Sequence, residues 1–399
     1  MTLNWKGYLR KDGKKGIRNY IIVAYLVECA HHVAREMVLN FRGKTVQLVG
    51  FPGCYPNAYA DRMMNALCTH PNVGGVLLVS LGCESFNRRR LADTIAASGR
   101  PVHTIVIQKS GGTRKSITEG CQWIENTLIE INNTPRVPMY VSDLIVGTVC
   151  GGSDATSGIT ANPAVGKAFD TLVQHKAIAI FEETGEMIGL ESVMSQRAVT
   201  PALAEELRKS VEKAARYYTI MGHGSFAPGN ADGGLTTIEE KSMGAYCKSG
   251  DSPISGLIKP GDLPSHPGLY LMDVVPDGEP RFGFPNISDN AEIVEMIASG
   301  CHLILFTTGR GSVVGSAISP VIKICANPET YERMQDDMDI NAGKILYNEA
   351  TIPEVGDEIF EKLLLTAGGE PTCSESLGHQ EFILTYKQFE PIGPACLPV

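Results

Sequence analysis

Leu144-Ile145-Val146-Gly147-Thr148-Val149-Cys150-Gly151-Gly152-Ser153-Asp154 is a buried-strand pattern that runs straight into a glycine turn. A short apolar run that breaks at glycine, with a cysteine at the break, recurs twice more. It is found at Val46-Gln47-Leu48-Val49-Gly50-Phe51-Pro52-Gly53-Cys54 and at Gly75-Val76-Leu77-Leu78-Val79-Ser80-Leu81-Gly82-Cys83-Glu84. Runs apolar on both faces belong to parallel sheets covered by helices. In such sheets ligands bind in the crevice beyond the carboxyl ends of the strands. The three turns therefore predict one crevice with three thiols at its edge. Three thiolates there can hold iron and leave a coordination position open.

Outward from these turns, residues 19–135 alternate strand and helix patterns. Tyr20–Val27 reads as a strand and Ala30–Phe41 as a helix; the Cys54 strand precedes a helix over Asn57–Thr69. Val102–Gln108 and Arg114–Ile131 continue the alternation, and Asn132-Asn133-Thr134-Pro135 ends it. Such spacing means parallel strands joined by right-handed crossovers. A second unit starts near Met139. Its Pro201–Arg216 helix has Thr200 as a capping residue and proline at the first position, where a missing N–H costs nothing. Residues 221–288 are rich in glycine, proline and serine and predict a long loop insertion, as over an active site. The fold class expected is α/β: two Rossmann-like parallel-sheet units, 1–135 and 139–399, with an active-site crevice at the strand ends.

The chain has 399 residues, 43 % hydrophobic and 20 % charged, an ordinary globular balance. Its 42 glycines gather in turns without a fixed period. A formal charge of −9 and the lack of a long basic run exclude a nucleic-acid surface. No apolar run reaches the ~20 residues of a membrane span. The first residues, Met1-Thr2-Leu3-Asn4-Trp5-Lys6, carry no signal-peptide core. The expectation is a cytoplasmic enzyme whose 11 cysteines stay reduced.

The chemistry-bearing side chains follow from the same turns. Cys54, Cys83 and Cys150 are the metal candidates, and two forms stand open. One is an iron–sulfur cluster with three cysteine ligands, the other mononuclear Fe2+. Against both stands the plain alternative of cysteines packed as small hydrophobes. Glu84 and Asp154 adjoin the cysteines and Glu182 follows a strand, so each is a candidate for acid–base work; the bland alternative is a helix cap. Arg18 with Asn19, Arg114 with Lys115, and Arg310 with Thr308 and Ser312 lie at strand or helix ends where an anion would sit. His223, in Gly222-His223-Gly224-Ser225, titrates in the right range for a base; His31, His32 and His379 are lesser candidates. The dinucleotide fingerprint G-x-G-x-x-G is absent at Tyr20–Ala30, which argues against a nicotinamide dehydrogenase. A non-catalytic binding module would not need cysteine turns at several strand ends.

Several stretches carry a resemblance. They are Gly16-Ile17-Arg18-Asn19, Leu81-Gly82-Cys83-Glu84, Gly111-Gly112-Thr113-Arg114, Cys150-Gly151-Gly152-Ser153-Asp154, Gly233-Gly234-Leu235-Thr236-Thr237, Phe306-Thr307-Thr308-Gly309-Arg310-Gly311 and Asp337-Met338-Asp339. The chain resembles the altronate/galactarate dehydratase family. Val27-Glu28-Cys29-Ala30-His31-His32, Met221-Gly222-His223-Gly224-Ser225-Phe226 and Leu377-Gly378-His379-Gln380-Glu381 are similar to the large subunits of its sulfite-releasing branch. The small N-terminal domain of the hexarate enzymes is missing here and, in that branch, looks to be a separate subunit. The resemblance implies iron dependence, an oligomer, a small alpha subunit as partner and a small anionic hydroxy acid as substrate. For the sulfite-releasing branch the implied reaction is elimination of sulfite from (2R)-3-sulfolactate to pyruvate. The alternative is dehydration of altronate or galactarate.

Overall fold

The structure, a computed structural model, describes residues 4–222, 228–278, 287–387 and 389. The chain opens with β1 (Asn4–Leu9) and the two-residue β2 (Lys15–Gly16), which pair antiparallel. Then come β3 (Tyr20–Tyr25), β4 (Val46–Gly50), β5 (Val73–Ser80) and β6 (Val102–Val106). These four form a parallel sheet in the order β4-β3-β5-β6. Strand β7 (Arg136–Tyr140) returns to pair with β1, Asn4 opposite Tyr140, and closes a three-stranded antiparallel sheet.

The second parallel sheet has seven strands. In chain order they are β8 (Ile145–Cys150), β9 (Ile178–Phe181), β10 (Ile254–Ile258), β11 (Gly268–Met272), β12 (Leu303–Thr308), β13 (Val321–Cys325) and β14 (Ile340–Asn341). Their spatial order is β10-β11-β9-β8-β12-β13-β14. The two parallel-sheet α/β units are thus present, each with helices packed on it, and β8 lies in the middle of the larger sheet.

Two readings of the sequence are corrected. The stretch expected to be a loop insertion contains β10, β11 and a helix, Ile238–Tyr246. Each of these strands is five residues long and carries a glycine, too short a run to show periodicity. They are held by parallel pairing of β11 to β9 and of β10 to β11. The N-terminal residues, whose sequence shows no strand pattern, form β1. Its partner β7 is remote in sequence, and no local pattern announces such a pairing.

Helix starts follow local chemistry. Thr200 accepts a hydrogen bond from Leu203 N at 3.2 Å at the head of Pro201–Met221, with proline in the first turn. Asn57 accepts from Ala60 N at 2.9 Å at the head of Ala58–Cys68.

The units share one apolar core. Phe51, Met63, Leu67 and Phe86 of the first belong to the same buried cluster as Ile293, Ile297, Phe306 and Val321 of the second. Asn72 bridges them through polar bonds. Its Oδ1 accepts from Ile17 N at 2.9 Å, and its Nδ2 donates to His302 O at 3.0 Å and Ile318 O at 3.2 Å. A buried polar side chain satisfied on both sides specifies one relative placement of the groups it joins. No helix among the described residues is long and apolar enough to cross a membrane.

Candidate active site

The carboxyl ends of β8, β9 and β12 stand side by side, because β8 pairs with both of the others. Beyond them the Cys150–Asp154 turn and the Thr308–Gly311 turn are laced together. Gly152 O accepts from Arg310 N at 2.9 Å and from Gly309 N at 3.2 Å. Glycines in these turns leave room for neighbouring carboxylates. A Cβ on Gly309 would lie 2.1 Å from Asp154 Oδ1, and one on Gly151 would lie 2.1 Å from Asp289 Oδ2.

Cys150 is buried at the centre of this edge. Its Sγ lies 3.2 Å from Glu183 Oε1 and 3.2 Å from Glu186 Oε2, and Ser153 Oγ donates to it at 3.4 Å. Glu182 and Glu183 follow β9 directly. Glu183 takes a left-handed backbone, φ 73°, at a non-glycine residue. Such strain persists only where surrounding contacts impose it, and it clusters at functional sites. Glu292 and Asp289 enter from the helix Asp289–Ala298. Lys248 pairs with Glu183, and Lys241 reaches Glu186 at 2.5 Å.

Five acids, Glu182, Glu183, Glu186, Asp289 and Glu292, therefore share the space with two lysines, Lys241 and Lys248. Burial, then the Glu292 charge, pushes Glu182 well above the usual carboxylate range. Glu292 is raised to about 8 by burial and then Asp289, and Asp289 to about 6 by burial and then Glu186. The Cys150 thiol is pushed up to about 11 by burial and then Glu186. These groups resist ionising together unless a cation joins them.

The donors present suit a metal ion. Cys150 Sγ and one oxygen each of Glu183 and Glu186 lie within 4.8 Å of one another, as do single oxygens of Glu182, Glu183 and Glu292. Ligands on one ion sit at most about twice a ~2.0–2.3 Å bond apart, so the donors of each triplet lie close to the span that one ion bridges. Glu182 Oε1 is buried without a hydrogen-bond partner. An orphaned buried carboxylate oxygen is costly unless something positive meets it.

The other residues singled out from the sequence are distributed as follows. Cys54 and Cys83 are exposed, on turns joined by Ser85 N donating to Cys54 O at 2.9 Å. Neither belongs to a close donor group found among the described residues. Glu84 braces its own turn, accepting from Ser80 Oγ and from Gly82 N at 2.8 Å. Asp154 accepts from Thr156 N at 2.9 Å, Thr156 Oγ1 at 2.6 Å and Asn327 Nδ2 at 3.1 Å. All five N–H donors of Arg18 are engaged: two by Glu375 at 2.7 and 2.8 Å, the others by carbonyls of Ile17, Thr366 and Glu370. Asn19 joins Arg10 to Ile131 O. Arg114 and Lys115 are exposed on the first turn of Thr113–Ile131.

Arg310 is exposed, donating to Gly229 O at 2.6 Å. Thr308 Oγ1 accepts from Gly311 N at 3.0 Å and Ser312 Oγ from Val314 N at 3.2 Å. His31 lies 2.9 Å from Glu28, and His379 lies 3.4 Å from Lys323 Nζ. His223 falls outside the described residues.

Sequence reading missed Glu183, Glu186, Asp289, Glu292, Lys241 and Lys248. The run Phe181-Glu182-Glu183-Thr184-Gly185-Glu186 after a buried strand was the available signal for the first two. The lysines have none, since they lie in a stretch whose composition reads as loop.

Comparisons with known proteins concern nearly the whole chain. Residues 7–132 match the family model described as D-galactarate dehydratase/altronate hydrolase, second domain, and 141–389 match D-galactarate/altronate dehydratase, C-terminal. The (2R)-sulfolactate sulfo-lyase subunit beta of Chromohalobacter salexigens is 33 % identical, over 95 % of this chain and 96 % of its own length. The galactarate dehydratase (L-threo-forming) of Escherichia coli is 32 % identical, over 94 % of this chain and 75 % of its own length. The altronate dehydratase of the same organism is 28 % identical, over 94 % and 76 %.

Proposed function

We propose, from the premise that this chain belongs to the galactarate/altronate dehydratase family, that it eliminates sulfite from (2R)-3-sulfolactate to give pyruvate. The observation that carries the elimination chemistry is the buried edge where, among the described residues, five acids and a thiol meet Lys241 and Lys248. Its relatives are lyases and hydro-lyases by name. The sulfolactate reading is supported by the 33 % identity to a sulfo-lyase beta subunit. The 32 % identity to a galactarate dehydratase supports the second reading, loss of water from a sugar acid.

In the reaction the C2 proton leaves, its electron pair forms the C2–C3 double bond, and the C3–S pair departs with sulfite. The enol then takes a proton at C3 to become pyruvate. The C2 proton is weakly acidic beside an ionised carboxylate. Iron, held by Cys150, Glu183 and Glu186, would supply Lewis-acid polarisation of the hydroxy-carboxylate. Glu182, with one oxygen unpartnered, is the group to receive the C2 proton. Arg310, at the end of β12 beside Thr308 and Ser312, meets the departing sulfonate. Arg18, engaged by Glu375, Thr366 and Glu370, ties the first unit to the second, while Asn19 is engaged within the first.

The carboxylate-rich surroundings of Cys150 suit a single Fe2+, because hard oxygen donors match such an ion. An iron–sulfur cluster on Cys54, Cys83 and Cys150 is the alternative, supported by the bond joining the Cys54 and Cys83 turns. A small alpha subunit completes the enzyme in this reading, as the name of the sulfo-lyase relative suggests.

The test is anaerobic purification with and without the small subunit, iron and acid-labile sulfide analysis, and a panel of acids. Sulfite and pyruvate from (2R)-3-sulfolactate in equal amounts is the expected result. Turnover of altronate or galactarate, with no sulfite from sulfolactate, would move the chain to the dehydratases. Bound iron without labile sulfide decides for the mononuclear form.

A further inference from the structure

The two lysines stand in a layered arrangement. Glu183 turns Oε1 to Cys150 and Oε2 to Lys248; Glu186 turns Oε2 to Cys150 and Oε1 to Lys241. Each carboxylate thus has one oxygen at the thiol and the other at a lysine, although Lys248 Nζ also lies 3.9 Å from Glu186 Oε2. A cation on the thiol side and a lysine on the other can therefore coexist. The lysines differ in what lies beyond them. The Lys248 side chain is 0 % exposed and enclosed. Lys241 lines a cavity between the Ser153–Ile159 turn and the helix Ile238–Tyr246, together with Ser153, Ser157 and Asn162.

That cavity measures about 280 Å3, near the lower end for small-molecule sites. Two acids also line it, and both are capped by donors. Asp154 accepts from Thr156, Ser157 and Asn327, and Glu240 from Thr236 N at 2.7 Å and Thr236 Oγ1 at 2.6 Å. Ser153 links cavity and metal donors, since its hydroxyl touches Cys150 Sγ.

We propose that Lys241 is the receptor for the substrate's carboxylate, and that the acid enters through this cavity with Ser153 beside it. The proposal rests on the reading of the chain as an enzyme acting on a small hydroxy acid. Lys248 is then a positioning residue that fixes Glu183. The charge of the Lys241 ammonium is then shared between Glu186 and the substrate's carboxylate.

The experiment compares wild type, Lys241→Gln and Lys241→Arg, each reconstituted with Fe2+ under anaerobic conditions. Iron stoichiometry is measured first, then equilibrium binding of (2R)-3-sulfolactate, galactarate and sulfoacetate, a small dianion with no hydroxyl to eliminate. Loss of a charge-assisted hydrogen bond should weaken binding tenfold or more in Lys241→Gln. Iron should stay near wild type, and Lys241→Arg should recover part of the affinity. Equal affinity in wild type and Lys241→Gln overturns the proposal. So does loss of iron together with affinity in both variants, because Lys241 would then serve the metal donors. Should wild type bind neither hydroxy acid, the substrate reading fails, and sulfoacetate alone decides for the lysine. Weaker sulfoacetate binding in Lys241→Gln upholds it; equal or absent binding in wild type and variant overturns it.

Discussion

Replacing Lys387 by methionine tests how the active-site helix is held. Lys387 Nζ lies 2.7 and 2.8 Å from the two oxygens of Glu295, and both side chains are 0 % exposed. Tyr59 OH donates to Glu295 Oε1 at 2.6 Å, and Asn57 Nδ2 donates to Lys387 O at 2.6 Å. The pair thus ties the C-terminal segment and the helix Ala58–Cys68 to Asp289–Ala298, one turn beyond Glu292. Lys387→Met keeps the volume but leaves a buried carboxylate without its cation. Breaking a buried pair from one side costs about 3–5 kcal/mol. For a chain of this length that is a fall of about 5 °C if it melts in one step. The double variant Lys387→Met/Glu295→Gln removes the orphaned charge and leaves Tyr59 an acceptor. It should recover at least about 1.5 kcal/mol of the loss. Urea unfolding of the two singles, the double and wild type gives the coupling energy. A single-variant loss below about 1 kcal/mol, or a double no better than Lys387→Met, would refute the claim that this pair is sealed from water.

Cys150→Ser should lower bound iron and abolish turnover, while Cys54→Ser and Cys83→Ser should keep iron if the ion is mononuclear; iron lost from all three variants would favour the cluster. Arg310→Lys retains the charge without the two-pronged geometry, so kcat/KM for the acid should drop while iron content and melting stay near wild type; an unchanged kcat/KM would leave Arg310 as a tie to Gly229. The third expectation concerns pH in metal-stripped protein. Glu292 has its pKa raised to about 8 in the fold, so its contribution to stability is complete below the ordinary carboxylate range and is lost as pH rises through about 8. Between pH 7 and 8, stability measured with chelator should decline by up to about 1.4 kcal/mol per pH unit from this group. Rising stability across that window would contradict the burial of Glu292 in its acidic company.

The α/β alternation, the glycine turns after β4, β5 and β8, the caps at Asn57 and Thr200, and the placement of Cys150 and Glu182 at strand ends were legible in the sequence. Each depends on neighbours within a turn or two: apolar periodicity, a capping side chain, a proline where no N–H is needed. Strand order was not legible. Glu183 meets Cys150 because β9 lies beside β8, and Asp289 and Glu292 join them because their helix packs across that edge. Lys241 and Lys248 arrive from a stretch whose own composition reads as loop. Periodicity tells which face of an element a side chain occupies, but not which other element lies opposite. Crossover geometry and a shared core settle that, and they also set the excess of acids over lysines on which the proposed metal site depends.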